Sequence, residues 1–193
     1  MNKKRTALFG GSFDPIHNGH TSLAAQVLDN GLADEVWFMV SPMNPHKQGA
    51  RLTDEKQRLD MVRLATQNEP RFVACDFEFH LPRPSYTINT LNALEEKYPD
   101  REFMLLIGAD NWEKIDKWYS YEEILSRFSF IVYPREGSVV EPSTLPDNVQ
   151  WLASSLYNIS STELRRSIAE GDSTAEWLNP KVKDYIVVNK LYR

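Results

Sequence analysis

Two imidazoles, His17 and His20, stand three residues apart at the end of the run Leu8-Phe9-Gly10-Gly11-Ser12-Phe13-Asp14-Pro15-Ile16-His17-Asn18-Gly19-His20. That spacing puts both rings on one face of a helix's first turn. Each can donate a hydrogen bond to an anion and gain charge as the anion approaches. The residues before them suit the same task. Arg5 to Phe9 reads as a short buried strand, and Gly10 and Gly11 lack the Cβ atoms that would hold a phosphate away from backbone N–H groups. A helix opening near Asn18 would add its unpaired N–H groups and its positive dipole end. The expected chemistry is binding of a nucleotide triphosphate, with Gly10, Gly11, Ser12, Phe13, His17 and His20 around it. Two plainer readings use the same residues. Gly-Gly before Ser-Phe-Asp-Pro is an ordinary turn signal with a histidine at a helix start, and a histidine pair can hold a metal. No third Cys, His or carboxylate ligand stands at a recognisable spacing, so no protein-held metal is expected.

Further clusters fall where strands are expected to end. In Ser41-Pro42-Met43-Asn44-Pro45-His46-Lys47 two prolines stiffen a loop whose Lys47 is a candidate phosphate clamp or, equally, a solvated surface lysine. Ile159-Ser160-Ser161-Thr162-Glu163-Leu164-Arg165 combines N-capping hydroxyls with an arginine near the first turn, which reads as a second helix-start anion site or simply as a capped helix. In Ile107-Gly108-Ala109-Asp110-Asn111-Trp112 a carboxylate follows a glycine, where it can accept from ribose hydroxyls or stabilise a turn. Lys117-Trp118-Tyr119 offers an indole that can stack on a flat ring or fill a core.

The elements that must position these groups alternate along the chain. Leu23, Ala24, Val27 and Leu28 form the apolar stripe of a helix that stops at Asn30-Gly31. Glu35 to Val40 is the next strand. Thr53 can cap a helix carrying Leu59, Val62 and Ala65, and Phe72 to Cys75 follows as a third strand. Ile88, Leu91 and Leu94 mark a helix over about Tyr86 to Lys97, and Phe103 to Ile107 and Phe128 to Tyr133 read as strands buried on both faces. Five such units predict an α/β fold: a doubly wound parallel sheet with ligands beyond the carboxyl ends of its strands. A connection from Pro134 to Asn148 leads to a C-terminal helical extension, about 150–193, within one domain spanning 1–193.

Composition narrows the class. The 193 residues suffice for a substantial core. A net charge of −5 argues against a nucleic-acid binder, so an anion site would be built from a few placed residues. The single cysteine, Cys75, falls in an apolar run and reads as a buried inert thiol in a reducing compartment. No stretch has the length of a signal core or a membrane span, so a cytoplasmic protein with no membrane partner is expected. Assembly with further copies of the chain, as a homo-oligomer, stays open.

Taken together, the opening run with its His-x-Gly-His core and the Ile-Ser-Ser-Thr-x-x-Arg segment resemble the fingerprints of the nucleotidylyltransferase superfamily. The longer match, from Ala7 to about Arg166, is similar to the bacterial nicotinate-nucleotide adenylyltransferases. The resemblance implies a Rossmann-like fold and transfer of an adenylyl group from ATP to nicotinate mononucleotide, with Mg2+ bound mainly through the ATP phosphates. It implies contacts to the triphosphate from His17, His20, Lys47 and Arg165, with Ser161 and Thr162 as donors. It assigns Lys47, Thr87, Gly108, Asp110, Trp118, Tyr119 and Arg135 to the mononucleotide. Arg135, in Tyr133-Pro134-Arg135-Glu136-Gly137, resembles the family's Arg-Pro-Gly segment in altered order, and the part played by Arg166 is open. Ser12, Thr21 and Asn44 depart from the family's usual residues, and none of these changes removes a side chain assigned to chemistry.

Overall fold

The computed structural model describes residues 2–42, 52–154, 159–172, 174 and 176–193. Strands β1 (Lys4–Gly11), β2 (Glu35–Val40), β3 (Phe72–Cys75), β4 (Arg101–Gly108), β5 (Ser129–Tyr133) and β6 (Val149–Trp151) form one parallel sheet in the order β3-β2-β1-β4-β5-β6. The doubly wound expectation therefore holds with one strand more than the five expected. Val149-Gln150-Trp151 is too short to display a strand period, and it lies at the sheet edge against Phe130, Ile131 and Val132.

Helices α1 (Asn18–Asp29), α2 (Glu55–Thr66), α3 (Thr87–Lys97), α4 (Ala109–Trp112), α5 (Tyr121–Arg127), α6 (Ser161–Glu170) and α7 (Pro180–Val188) complete the chain. Strand alternation divides the interior in two. Ala7, Phe9, Val36, Phe38, Met104 and Leu106 face one core, which is closed by Leu23 and Val27 of α1, Met61 and Val62 of α2, Leu164 of α6 and Val182 and Ile186 of α7. Leu8, Trp37, Met39, Phe103, Leu105 and Ile107 face the other, beneath Leu91 and Leu94 of α3 and Ile124 of α5. Each such side chain, removed from water, contributes roughly 1.5–3 kcal/mol. Cys75 is buried as expected, and burial pushes its thiol up to about 11. The cap of α2 differs from expectation. Asp54, not Thr53, accepts from the backbone of Lys56 and Gln57, a task for which a carboxylate at a positive helix end is well suited.

Register creates the crevice. The last partners of β1 and β4 are Phe9 and Leu106. Beyond them β1 follows β2 to Gly11, opposite Val40, while β4 follows β5 to Gly108, opposite Tyr133. The sheet thus parts at its carboxyl end, at the point where strand order reverses.

Candidate active site

The segment joining β1 to α1 lies at this parting. At Gly11 the fit is tight, since a Cβ would sit 3.0 Å from the Phe13 ring and the ring would have to give. Phe13 adopts a φ of +46°, uncommon for a bulky residue, and packs edge-on against Phe9 and His20. Gly10 has a different use, since a Cβ on it would meet nothing within 4 Å and would enter open space.

Side chains from distant elements hold the carbonyl oxygens of this loop. Arg58 of α2, 1% exposed, donates to Ser12 O at 2.6 Å, Ser41 O at 2.9 Å, Thr53 O at 2.9 Å and Pro42 O at 3.2 Å. Arg165 Nη1 donates to Asp14 O at 2.7 Å, and Ser161 Oγ donates to Pro15 O at 2.9 Å. The buried Arg58 loses solvation but meets four carbonyls, which offsets that cost. Nothing in the apolar period of α2 assigns it this place. The available signal is that Arg58 lies three and four residues before the buried Met61 and Val62, on the stripe that should be apolar.

His17 occupies the N-cap position of α1, 7% exposed, and its ring stacks on His20 with centroids 3.7 Å apart. The His17 backbone N–H donates to His20 Nδ1 at 3.2 Å, which leaves the His20 proton on Nε2 as a donor. His17 Nδ1 is buried without a partner. Gly19 permits this, because a Cβ there would come within 3.0 Å of that nitrogen. Burial, with a smaller contribution from Arg135, lowers His17 to about 4; burial, the neighbouring His17 and Arg135 hold His20 well below its ordinary value. Both rings are therefore neutral near pH 7 until an anion compensates for the lost solvation.

Two cavities open from the crevice. The smaller, about 330 Å³, is walled by His17, Gly19 and His20, by Asp110, Tyr133 and Arg135, and by Ser160 and Glu163 at the start of α6. The larger, about 450 Å³, is walled by Gly10, Ser41, Glu78, Thr87, Gly108, Trp118 and Tyr119 among others. Tyr133 borders both, with its phenol pushed up to about 12 by burial. Thr87 begins α3, so the amino end of that helix borders the larger cavity. Glu78, which accepts from Thr90 Oγ1 at 3.1 Å, adds a carboxyl raised by burial to the same wall.

The expected groups are thus brought together in two sets. His17 and His20 wall the smaller cavity; Gly10, Thr87, Gly108, Trp118 and Tyr119 wall the larger. Asp110 and Arg135, expected beside the mononucleotide residues, instead face the histidine cavity. Their side chains approach to 3.6 Å, and a Cβ on Gly108 would lie 2.5 Å from Asp110 Oδ1. Gly11, Ser12, Phe13, Ser161, Thr162 and Arg165 wall neither cavity and instead build the loop. The cap of α6 is Ser160, in a reciprocal pair with Glu163, and the Thr162 hydroxyl accepts from Arg165 Nη2 at 3.2 Å. Lys47 and the rest of its loop, 43–51, lie outside the described residues. No helix among the described residues is long and apolar enough to cross a membrane.

Known proteins resemble the chain throughout its length. The cytidylyltransferase-like family model matches residues 8–167. A probable nicotinate-nucleotide adenylyltransferase of Bacteroides fragilis is 49% identical over 97% of this chain and 93% of its own. The nicotinate-nucleotide adenylyltransferase of Bacillus subtilis is 37% identical over 98% of both chains. Among solved structures, Plasmodium falciparum nicotinic acid mononucleotide adenylyltransferase complexed with NaAD superposes with a TM-score of 0.79 at 23% identity, covering 98% of this chain and 97% of that one, which shows a common fold. With identities of this size over nearly the whole chain, carried on a parted parallel sheet whose opening is walled by the His-x-Gly-His histidines, the chain belongs to the nicotinate-nucleotide adenylyltransferase family within the cytidylyltransferase-like group.

Proposed function

We propose that the chain transfers the adenylyl group of ATP to nicotinate mononucleotide, releasing pyrophosphate and forming nicotinate adenine dinucleotide. The observation that carries this reading is the pair of cavities bordered by one side chain, Tyr133: one holds two neutral imidazoles with an unsatisfied ring nitrogen, the other an indole, a phenol and a helix start. The triphosphate belongs over the histidines. The mononucleotide belongs in the larger cavity, where Trp118 and Tyr119 suit a pyridine ring and the first turn of α3 at Thr87 suits its carboxylate.

A phosphate oxygen of nicotinate mononucleotide attacks the α-phosphorus in line. A new P–O bond forms, the bond between the α-phosphorus and the bridging oxygen breaks, and its electron pair leaves with pyrophosphate. The attacking phosphate is already anionic near neutral pH, so the protein has no essential proton to remove. Its work is positioning and charge stabilisation. His20 Nε2–H donates to the α-phosphoryl oxygens, and His17 Nδ1 takes up a proton and donates to the leaving phosphates as the anion raises its affinity for one. Arg165 keeps the loop in place through Asp14 O and has further N–H groups for the phosphates, joined by Lys47. Mg2+ carried on the phosphates would neutralise part of their charge. Among the described residues no group of acids is gathered to hold a metal, which suits an ion held through the phosphates and retaining several waters, with Asp110 and Glu136 on the wall to meet those waters.

The test is pyrophosphate release with ATP and Mg2+, offering nicotinate mononucleotide, nicotinamide mononucleotide and phosphopantetheine in parallel, with product mass measured. Preference for the acid mononucleotide is expected; preference for either other acceptor, or silence with all three, would overturn the assignment.

A further inference from the structure

Asp14 is the single acid of the segment joining β1 to α1, 1% exposed, and it is met by a residue 178 positions away. The Tyr192 hydroxyl donates to Asp14 Oδ1 at 2.5 Å, the Thr53 backbone N–H donates to Oδ2 at 3.2 Å, and the Asp14 carbonyl receives Arg165. The segment bearing Tyr192 follows α7 and packs over α2, with the Tyr192 oxygen 4.0 Å from Met61 Sδ and the Leu191 N–H bonded to Ile186 O at 3.0 Å.

Backbone conformation sets this contact apart. Four non-glycine residues among those described have positive φ, and three of them, Phe13, Lys190 and Tyr192, lie on the two segments that meet here. Residues held in sparsely populated conformations persist only where their surroundings over-determine them. Phe13 directly precedes Asp14, and the ring of Phe13 supports His20. We propose that Tyr192 is a positioning residue for the nucleotide site: by holding the Asp14 carboxylate while Arg165 holds the Asp14 carbonyl, it keeps the segment 12–16 in the form that sets His17 and His20. This rests on the reading that the triphosphate lies over those histidines.

Two consequences separate this role from simple docking of α7. Tyr192→Phe removes only the O–H and leaves the ring, and it is expected to raise the KM for ATP about tenfold and lower kcat severalfold. The KM for nicotinate mononucleotide should change less than about twofold, because no residue from 11 to 16 walls the larger cavity. Tyr185 is the control. Its hydroxyl donates to Asp60 across the same α7–α2 contact at 3.2 Å but touches nothing in the loop, so Tyr185→Phe should leave both KM values and kcat in place.

By reciprocity, a nucleotide that favours the held loop must favour the Tyr192 contact. In the unaltered protein a non-hydrolysable ATP analogue with Mg2+ is therefore expected to slow hydrogen exchange at the Leu191 amide at least about threefold. Unchanged kinetics in Tyr192→Phe, an equal loss in Tyr185→Phe, or exchange at Leu191 indifferent to the analogue would each overturn the proposal. Pyrophosphate release by the unaltered chain, run alongside, separates these failures from failure of the functional reading itself, which would show as silence there too.

Discussion

At the amino end of the sheet the carboxylate of Glu35, 4% exposed, receives three side-chain donors: Lys4 Nζ at 2.6 Å, Thr6 Oγ1 at 2.8 Å and Arg101 Nε at 2.9 Å. At the carboxyl end His17 Nδ1 and Asp110 Oδ1 are buried with no hydrogen-bond partner, Asp110 Oδ1 having only Arg135 Nε at 3.6 Å. Burial alone would raise the Glu35 carboxyl, yet the donors more than offset it and leave it lowered. At the other end burial acts on the two histidines without such relief. One end spends its polar groups on holding strands together, while the other keeps them waiting for a ligand. The division is not absolute among the described residues: Trp37 Nε1 is also unpartnered, lying in an aromatic cluster under Arg101.

The largest expected effect tests the waiting end. His20→Ala should lower kcat by at least about a hundredfold, the scale for loss of one preorganised donor, while thermal unfolding changes little. Near-normal turnover would remove His20 from the chemistry and with it the contrast. The reverse pattern is expected at the other end. Glu35→Gln leaves Lys4 without its counter-charge and Arg101 with only the exposed Asp100, and should cost about 2 kcal/mol of stability, a fall in Tm of roughly 4–8 °C for a chain of this size. Its kcat, measured where the variant is folded, should stay within about twofold. A variant that lost activity but kept its Tm would show that the two ends are not divided as described.

The two ends also differ in how far they could be read in advance. The bounds of β2 and β3 are legible because Glu35–Val40 and Phe72–Cys75 are apolar runs with clear stops. The histidine pair is legible because one contiguous segment carries it. What escapes is whatever joins distant segments through backbone atoms. Arg58 bonds only carbonyls, and a carbonyl leaves no mark in a list of side chains. Tyr192 and Asp14 are linked by folding alone. Asp110 and Arg135 face the histidines because β4 and β5 carry their tips past the point where β1 turns away, which depends on register. The cap at Asp54 was one residue from the one expected, a margin within which competing N-cap residues are hard to separate.

The smallest effect asks whether the waiting end really costs stability. His17 lies near 4 in the fold against an ordinary value near 6.5, so between those values the unfolded chain binds a proton that the folded chain refuses. Above about pH 7.5 both states are neutral at this ring and it contributes no slope. As pH falls toward 4 the unfolded state is increasingly favoured, by about 1.5 kcal/mol between pH 6.5 and 5. Of the groups facing the ring, Arg135 acts in the same direction because its charge opposes a second positive one, while His20, stacked on the ring and itself neutral here, adds to the burial. His17→Asn has nothing to protonate at this position, and its stability should fall less steeply than that of the unaltered chain across this window in denaturant titrations. Saturating ATP analogue should flatten the slope of the unaltered chain as well, because phosphate stabilises the protonated ring. Parallel slopes for chain and variant would mean that His17 already has its proton partner in the fold, and the carboxyl end would then be as satisfied as the end built on Glu35.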